Sequence, residues 1–175
     1  MKFSKGQVVI HPHHGPATIT AITTRKIKNA SKKYLKLDVH DPQLSVRMPL
    51  ERAEEIGVRS VITKDGVREL FDIFTGPSEP TDTVWSQRMK NNTSLLRTGD
   101  VRTIAGLVRD LIRRNEEKRL SFGEMSLLRE AMGPITAELA IVLKVTADEA
   151  EEAIRAAVID DVKPKLTDTA LAAAS

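Results

Sequence analysis

The stretch "LSVRMPLERAEEIG", residues 44–57, contains a change of sequence period that decides the fold. Up to Pro49, apolar residues alternate with Ser45 and Arg47, which is typical of a strand with one buried face. After Pro49, "LERAEEIG" predicts a short helix that Gly57 closes. The chain is therefore expected to change from strands to helices at this point.

Three segments before this stretch also predict strands. They are "QVVI" (7–10), "ATITAITTRKI" (17–27) and "KKYLKLDV" (32–39). In the last of them, Tyr34 and Lys36 alternate with Leu35 and Leu37, as in a half-buried strand. Turn-forming residues separate the segments at 11–16, 28–33 and 40–43. Three to five short strands in roughly 50 residues fit a small barrel.

Helical patterns follow Pro49. "TKDGVRELFDIFTGP" (63–77) predicts a helix stopped by Gly76 and Pro77, and "GPSEPTD" (76–82) predicts a loop. The next helix is expected to pass through Trp85, to be capped by Thr83 or Asp82, and to end at Gly99.

Asp100 is the expected N-cap of a further helix. Its apolar residues recur at helical spacing and predict a buried stripe of Val101, Ile104, Ala105, Val108, Leu111 and Ile112. "SFGE" (121–124) and "TADE" (146–149) are capping boxes that open two more helices. Pro134 is expected to kink or divide the helix between them.

These patterns predict an α+β fold in which a small β-barrel module precedes an all-helical bundle. The expected boundaries are a β module at 1–55, short helices and a linker at 56–82, a helical domain at 83–162 and a flexible tail at 163–175. No apolar run is long enough to span a membrane, and the N-terminus carries no secretion signal. The absence of cysteine excludes disulfides and thiolate metal sites. A cytoplasmic protein is expected.

The net charge of +3 is unevenly distributed along the 175 residues. Residues 85–119 carry nine basic and four acidic side chains. Arg102, Arg109 and Arg113 fall at i, i+7 and i+11 of one predicted helix. Arginines aligned in this way can follow a phosphate backbone. The same spacing is equally typical of a solvated helix face.

Trp85 is the only tryptophan of the chain, and it lies within this basic block. With Met89 and Leu96 it forms a helical stripe, which Asn92 interrupts, so it could anchor the bundle. An aromatic ring at a helix start, near Arg88 and Lys90, could equally stack on an unpaired base. The residues alone leave both interpretations open.

The four histidines raise a metal-site hypothesis. His11, His13 and His14 lie in "HPHHGP", a stretch with turn composition rather than metal-ligand spacing, and His40 lies in another turn. A His-dependent metallohydrolase and a stand-alone RNA- or ribosome-binding barrel are the two competing functional classes. No phosphate loop or nucleophile elbow is present, and no cofactor or metal is expected.

Several motifs together resemble the CarD (CdnL-type) transcription regulators of bacteria, most closely their actinobacterial branch. They are "FSKGQVVIHPHHGPATITAI", "YLKL", "LSVRMP", "WSQRMKNN", "GDVRTIAGLVRDLIRR" and "LSFGEMSLLREA". The resemblance covers residues 2 to 160. The N-terminal module is also similar to the polymerase-binding domain of the transcription-repair coupling factor.

The resemblance implies a Tudor-like β module that docks on the RNA polymerase β subunit. It implies a helical domain at the upstream edge of melted promoter DNA that stabilises the open complex without reading a sequence. Arg25 and Arg47 match polymerase-contacting positions, and Trp85 matches a tryptophan that wedges into the minor groove. When the three aligned arginines of the predicted helix are included, the expected DNA-binding residues are Trp85, Arg88, Lys90, Arg102, Arg109 and Arg113. A monomer associated with the nucleoid through RNA polymerase is expected, with no membrane partner and no catalysis.

The sequence departs from the family pattern at four positions. His11 stands where relatives have Tyr. Gln87 and Met89 replace Arg and Tyr, and Met125 replaces Lys. These changes remove two cations and one aromatic ring from the expected DNA side.

Overall fold

Residues 3–12, 14–27, 30–40 and 44–164 are described by the computed structural model, and they form two compact units. The first unit ends at Val61, and the second begins at Ile62. His13 and residues 165–175, which include most of the expected tail, lie outside the described residues.

The first unit contains a five-stranded antiparallel sheet with the strand order β4-β3-β2-β1-β5. The strands are β1 (Val8–His11), β2 (Gly15–Ile27), β3 (Ala30–Val39), β4 (Leu44–Pro49) and β5 (Arg59–Ser60). The four strands predicted from the sequence are confirmed. β5 was not predicted, because two residues are too few to show a period.

One face of the sheet carries the core of this unit. Leu35, Leu37 and Val39 of β3 are buried, and Ile19 of β2 lies opposite Leu37. The register of β2 against β3 then shifts at a bulge between Ile19 and Ala21. Since side chains alternate between faces, one extra residue reverses which positions of β2 point toward the core.

The transition at Pro49 is confirmed. Pro49 ends β4 and is the N-cap of α1 (Leu50–Glu55), whose Ala53 is fully buried in the sheet core. Gly57 has φ +89°, the left-handed conformation that a glycine allows after a helix. The buried Val58 follows and returns the chain to the sheet at β5.

The second unit is helical. Its helices are α2 (Lys64–Thr75), α3 (Trp85–Arg97), α4 (Val101–Glu117), α5 (Phe122–Leu143) and α6 (Ala147–Asp160). The predicted N-caps of α4, α5 and α6 are confirmed: Asp100, Ser121 and Thr146 each accept a backbone N–H of the first turn. The last two form the capping boxes expected from the sequence.

The apolar stripe predicted for α4 faces the core of this unit. Ala105, Val108, Leu111 and Ile112 are buried, and Val101 and Ile104 are half-buried. Leu139 of α5, Ile154 of α6 and Phe71 and Phe74 of α2 are buried as well. None of the helices within the described residues is long and apolar enough to cross a membrane.

Two features of the helical unit differ from what the sequence predicts. Of the kink or division expected at Pro134, the division does not occur, since Pro134 lies inside α5, which continues past it. A proline inside a helix costs about 3 kcal/mol. The flanking Met132 and Ile135 are both buried, and each such side chain contributes about 1.5–3 kcal/mol, so the core keeps the helix whole. The N-cap of α3 is Val84 rather than Thr83 or Asp82, and it provides no side-chain hydrogen bond.

The chain is thus an α+β protein in which a Tudor-like N-terminal sheet module is followed by a helical C-terminal part.

Candidate nucleic-acid interface

Trp85 is the first residue of α3, and its side chain is 52% exposed. Its indole N–H donates a hydrogen bond to Oγ of Ser121, with the two atoms 3.0 Å apart. The ring also lies close to the backbone of Gly123, where a Cβ would be 3.7 Å from Trp85 Cζ2 and 3.4 Å from Met89 Cε. One edge of the indole is therefore fixed against the start of α5, while the rest of the ring remains accessible.

The serine that holds Trp85 is itself held in place. Ser121 Oγ donates to Glu124 Oε2 at 2.7 Å and accepts the Glu124 backbone N–H at 3.3 Å. The backbone N–H of Ser121 donates to the same carboxylate oxygen at 3.0 Å. The capping box thus orients the hydroxyl lone pair that receives the indole N–H.

Glu124 is 2% exposed and interacts with two arginines. Arg88 Nε and Arg114 Nε lie 3.2 and 3.3 Å from its Oε1 atom. Burial by itself would raise the pKa of the Glu124 carboxyl. The hydrogen bonds from Ser121 and the charge and hydrogen bond of Arg88 outweigh burial and lower that pKa below its ordinary value. The carboxylate therefore stays ionised at neutral pH and keeps both arginines and Ser121 in place.

Arg88 is 6% exposed, so its guanidinium does not lie on the surface where the family pattern would place a DNA contact. Besides Glu124, it donates through Nη1 to the backbone carbonyls of Asp82 at 2.9 Å and Thr83 at 2.6 Å. These bonds fix the segment before α3 and turn the carbonyls of both residues toward Arg88. Asp82 Oδ2 also accepts a hydrogen bond from the Asn91 side chain, which holds this carboxylate against α3.

The three arginines of α4 that were expected to contact DNA, Arg102, Arg109 and Arg113, do not form an exposed row. Arg109 is buried, where it donates to Asp110 Oδ1 at 2.8 Å and to the carbonyl of Ile73 at 3.2 Å. Arg113 donates to the carbonyls of Phe74, Gly76 and Val158. The C-terminal carbonyls of a helix lack intrahelical partners and attract cations, which draws both side chains toward the end of α2. Arg102 is exposed and pairs with Glu69.

Other cations lie on the surface of α3 and of the segment before α5. Lys90 and Arg97 of α3 are exposed, as are Lys118 and Arg119 just before α5. Within the described residues, none of these four side chains has a hydrogen bond or ion pair. Lys90 was predicted to contact DNA, whereas the other three were noticed only as members of the basic block.

Phe122 was missed by the sequence reasoning. It is 90% exposed and directly follows Ser121 in the chain. The capping box was the signal in the sequence that could have pointed to Phe122. The residue that follows an N-cap serine is the first residue of the helix, at the end where the backbone N–H groups lack intrahelical partners. Val84, which precedes Trp85, is a further exposed apolar residue.

Arg25 and Arg47 share one face of the sheet in the first unit. Arg25 lies opposite Lys32, and Arg47 lies opposite Lys36, on the face of β3 that does not carry the core. The bulge in β2 is what turns Arg25 to this face. Arg25 Cζ lies 5.9 Å from the ring centroid of Tyr34, a cation–π arrangement.

Lys36 and Asp38 extend this polar face. Lys36 Nζ lies 3.4 Å from Asp38 Oδ1. The hydrogen bond from the Ser45 hydroxyl, followed by the charge of Lys36, lowers the pKa of the Asp38 carboxyl. The structure therefore brings the two predicted polymerase-contacting arginines together with a lysine and an aromatic ring on one exposed surface.

Two of the histidines lie close together, and a third makes a different contact. His11 is buried, with its ring centroid 4.5 Å from that of His14, while His40 Nε2 lies 2.8 Å from Thr18 Oγ1. His13 lies outside the described residues. No group of three potential metal ligands occurs in the part of the chain that the structure describes.

Two family models match the chain. Residues 3–62 match "CarD-like/TRCF RID domain", and residues 69–155 match "CarD, C-terminal domain". The chain is also similar to a Bacillus subtilis (strain 168) protein named "Putative transcription factor YdeB". The two are 26% identical over 144 residues, which is 82% of this chain and 94% of the relative. The first matched segment ends at the boundary between the two units, and the second begins within the helical unit.

Proposed function

Because this chain belongs to the CarD family and is a transcription regulator, we propose how its two units act on transcription. The N-terminal sheet docks on the β subunit of RNA polymerase. The helical unit contacts promoter DNA at the upstream edge of the melted region and stabilises the open complex. The protein catalyses no step, and through the polymerase it associates with the nucleoid.

The observation that carries this proposal is the state of Trp85. Its ring is half exposed, yet its N–H edge is fixed by Ser121. An aromatic ring that is already ordered loses little freedom when it enters a groove, so more of its contact energy appears as binding. Such a ring fits beside an unstacked base step better than in a regular duplex. Since it binds the melted state more tightly, it shifts the equilibrium toward that state.

The remaining DNA contacts in this proposal are electrostatic. Lys90 is exposed and unpaired among the described residues, and Arg102 is exposed on α4. Contacts to phosphates carry no sequence information, which suits a regulator that acts on many promoters. Arg88, Arg109 and Arg113 hold the helices and the Trp85 support together in this proposal, because their guanidinium groups are bonded within the unit.

The docking surface is the sheet face that carries Arg25 and Arg47. Lys36 and Arg47 lie directly opposite each other on neighbouring strands. Like charges in this position destabilise a sheet, and an acidic partner surface removes that cost. Docking then places the helical unit at a high effective concentration near the promoter, so weak DNA contacts are sufficient.

The test of this function is the lifetime of open complexes on a purified promoter, measured after a competitor is added. With Trp85→Ala we expect complexes to dissociate about tenfold faster, since losing one stacking contact of about 1.4 kcal/mol gives that factor. Binding of the variant to RNA polymerase should be unchanged, because the sheet unit is not altered.

Circular dichroism of the variant is the necessary control, since Trp85 also contacts the start of α5. An unchanged lifetime with an intact fold would falsify the wedge role. Retention of the wild-type chain on RNA in the absence of polymerase, without any effect on open complexes, would instead favour a stand-alone RNA-binding protein.

A further inference from the structure

Phe122 presents an almost fully exposed phenyl ring at the first position of α5. Most exposed apolar side chains of a protein are scattered and need no explanation. Phe122 is different because it adjoins the serine that holds Trp85. Given the 3.0 Å bond between Trp85 Nε1 and Ser121 Oγ, the Cα of Phe122 lies within roughly 10 Å of the indole nitrogen.

We call Val84, Trp85 and Phe122 the apolar patch. Its members are 61%, 52% and 90% exposed, and they begin α3 and α5. A groove of about 580 Å³ between these helices leads away from the patch, with Phe122 at its edge. Met89, Thr93 and Arg97 line the α3 side, and Ser126 and Glu130 line the α5 side.

Exposed cations lie on both sides of the apolar patch. Lys118 and Arg119 precede Phe122 in the chain, and Arg97 lines the groove on the side opposite Glu130. The one buried acid nearby, Glu124, is neutralised by two arginines. The start of α3 has no side-chain cap, so its first backbone N–H groups remain available to an anion.

This combination selects one kind of occupant. A second copy of the chain would bring unpaired cations against unpaired cations. An apolar protein helix would leave those cations without counter-charges. Unpaired DNA supplies both requirements at once, because each nucleotide joins a flat apolar base to a phosphate.

On the basis of the proposed function, we propose that Phe122 is a second base-contacting residue that stacks on an unpaired nucleobase of the melted strand, while Trp85 wedges at the last paired step. The two rings then act on neighbouring positions across the boundary between paired and melted DNA. Lys118, Arg119 and Arg97 hold the phosphates of the unpaired strand. Trp85 binds at the junction between paired and melted DNA, and Phe122 increases the preference of the protein for the open state.

The test uses two labelled DNA probes and the full-length protein. One probe is a duplex with a short unpaired segment and 2-aminopurine at its first unpaired positions, and the other is the same duplex fully paired. Binding is followed by anisotropy, and base stacking is followed by 2-aminopurine fluorescence. With Phe122→Ala we expect about tenfold weaker binding to the unpaired probe and loss of the fluorescence change. Binding to the paired probe should stay the same.

Two further variants serve as comparisons. Phe122→Trp should retain binding to the unpaired probe, since a larger aromatic ring can still stack. Ile159→Ala removes an exposed apolar side chain from α6, far along the chain from the patch, and should change neither probe. Because Phe122 is exposed and is not the cap residue, its substitution should leave thermal unfolding unchanged.

The possible failures can be told apart. If Trp85→Ala weakens binding to the unpaired probe and Phe122→Ala does not, the role of Phe122 is wrong and the wedge remains. Equal losses on both probes would show that the ring contacts duplex rather than a base. Weaker polymerase binding with intact DNA binding would assign Phe122 to a protein contact. If the wild type shows no preference between probes and Trp85→Ala changes nothing, the proposed function itself fails.

Discussion

At the scale of single residues, Trp85 is half exposed and yet held in a fixed orientation. A surface tryptophan normally rotates freely, but this one is fixed through Ser121 to a capping box and a buried ion-pair cluster. The indole–serine hydrogen bond is neutral, but the bonds of Ser121 and Arg88 to Glu124 involve a charged group, which makes them stronger than neutral hydrogen bonds. The polar network thus orders the ring before any partner arrives.

The link through Ser121 gives the first residue-scale prediction. Ser121→Ala removes the acceptor of the indole N–H and also the N-cap of α5. We expect a loss of about 1 kcal/mol in the free energy of unfolding from the cap. We also expect shorter-lived open complexes, because the freed ring must be ordered again on binding.

Thr146→Ala is the matched control for this prediction. Thr146 forms the same kind of capping box at the start of α6, but it has no contact with Trp85. It should lose similar stability, measured by urea unfolding, without a change in open-complex lifetime. Equal lifetimes for the two variants would mean that the hydrogen bond to Trp85 has no functional role.

The contacts of individual side chains could not be predicted from the sequence. The spacing of Arg102, Arg109 and Arg113 suggested one cationic row, but a helical spacing cannot reveal the carbonyl groups that another helix presents. Arg109 and Arg113 turn toward the end of α2, where they donate to the carbonyls of Ile73 and Phe74. The burial of Arg88 depends in the same way on Glu124, which is 36 residues away in the sequence.

At the scale of elements, the bulge in β2 determines the proposed docking face. Without the extra residue between Ile19 and Ala21, Arg25 would lie on the core side of the sheet. With it, Arg25 and Arg47 share the exposed face on either side of β3. The irregularity in the ladder is therefore part of the proposed interface.

The docking face predicts the behaviour of charge reversals. Arg25→Glu and Arg47→Glu should each reduce the amount of RNA polymerase recovered in a pull-down, because an acidic partner would then face an acid. Recovery should fall at least tenfold for the double variant, an estimate that rests on about 1.4 kcal/mol of lost interaction.

Lys26→Glu provides the comparison for this experiment. Lys26 is exposed and is the immediate neighbour of Arg25, but in a strand it points to the opposite face. The change in net charge is identical. A similar loss with Lys26→Glu would mean that total charge, rather than this face, governs binding.

Most elements could be predicted because each carried a local signal. Four strands had turn residues at their ends, and three helices had a side-chain cap that the structure confirms. The exceptions are elements fixed by tertiary contacts. β5 exists because it pairs with β1, and the start of α3 is set by Arg88 rather than by a cap.

At the scale of the whole molecule, the chain divides the work between two units that are joined directly at Val61 and Ile62. One is expected to provide affinity for the polymerase, and the other to provide preference for melted DNA. Two weak contacts on one chain bind far more tightly than either alone. Substitutions in the two units should therefore produce different defects.

This division predicts a difference in concentration dependence. The docking variant Arg47→Glu should regain full open-complex stabilisation when enough protein is added, because its DNA contacts are intact. Trp85→Ala should remain defective at saturation, since it lacks the difference in affinity that shifts the equilibrium. Titrating each protein against a fixed amount of polymerase and promoter measures both curves. If both variants recover at high concentration, Trp85 contributes only to occupancy.

The environment of Trp85 also gives this protein an optical property. The chain has one tryptophan, and its emission therefore comes from the half-exposed ring beside Ser121 alone. Intrinsic fluorescence excited at the tryptophan band reports on the proposed contact point without any label and without background from the core. The protein thus carries its own reporter of occupancy at the proposed DNA contact.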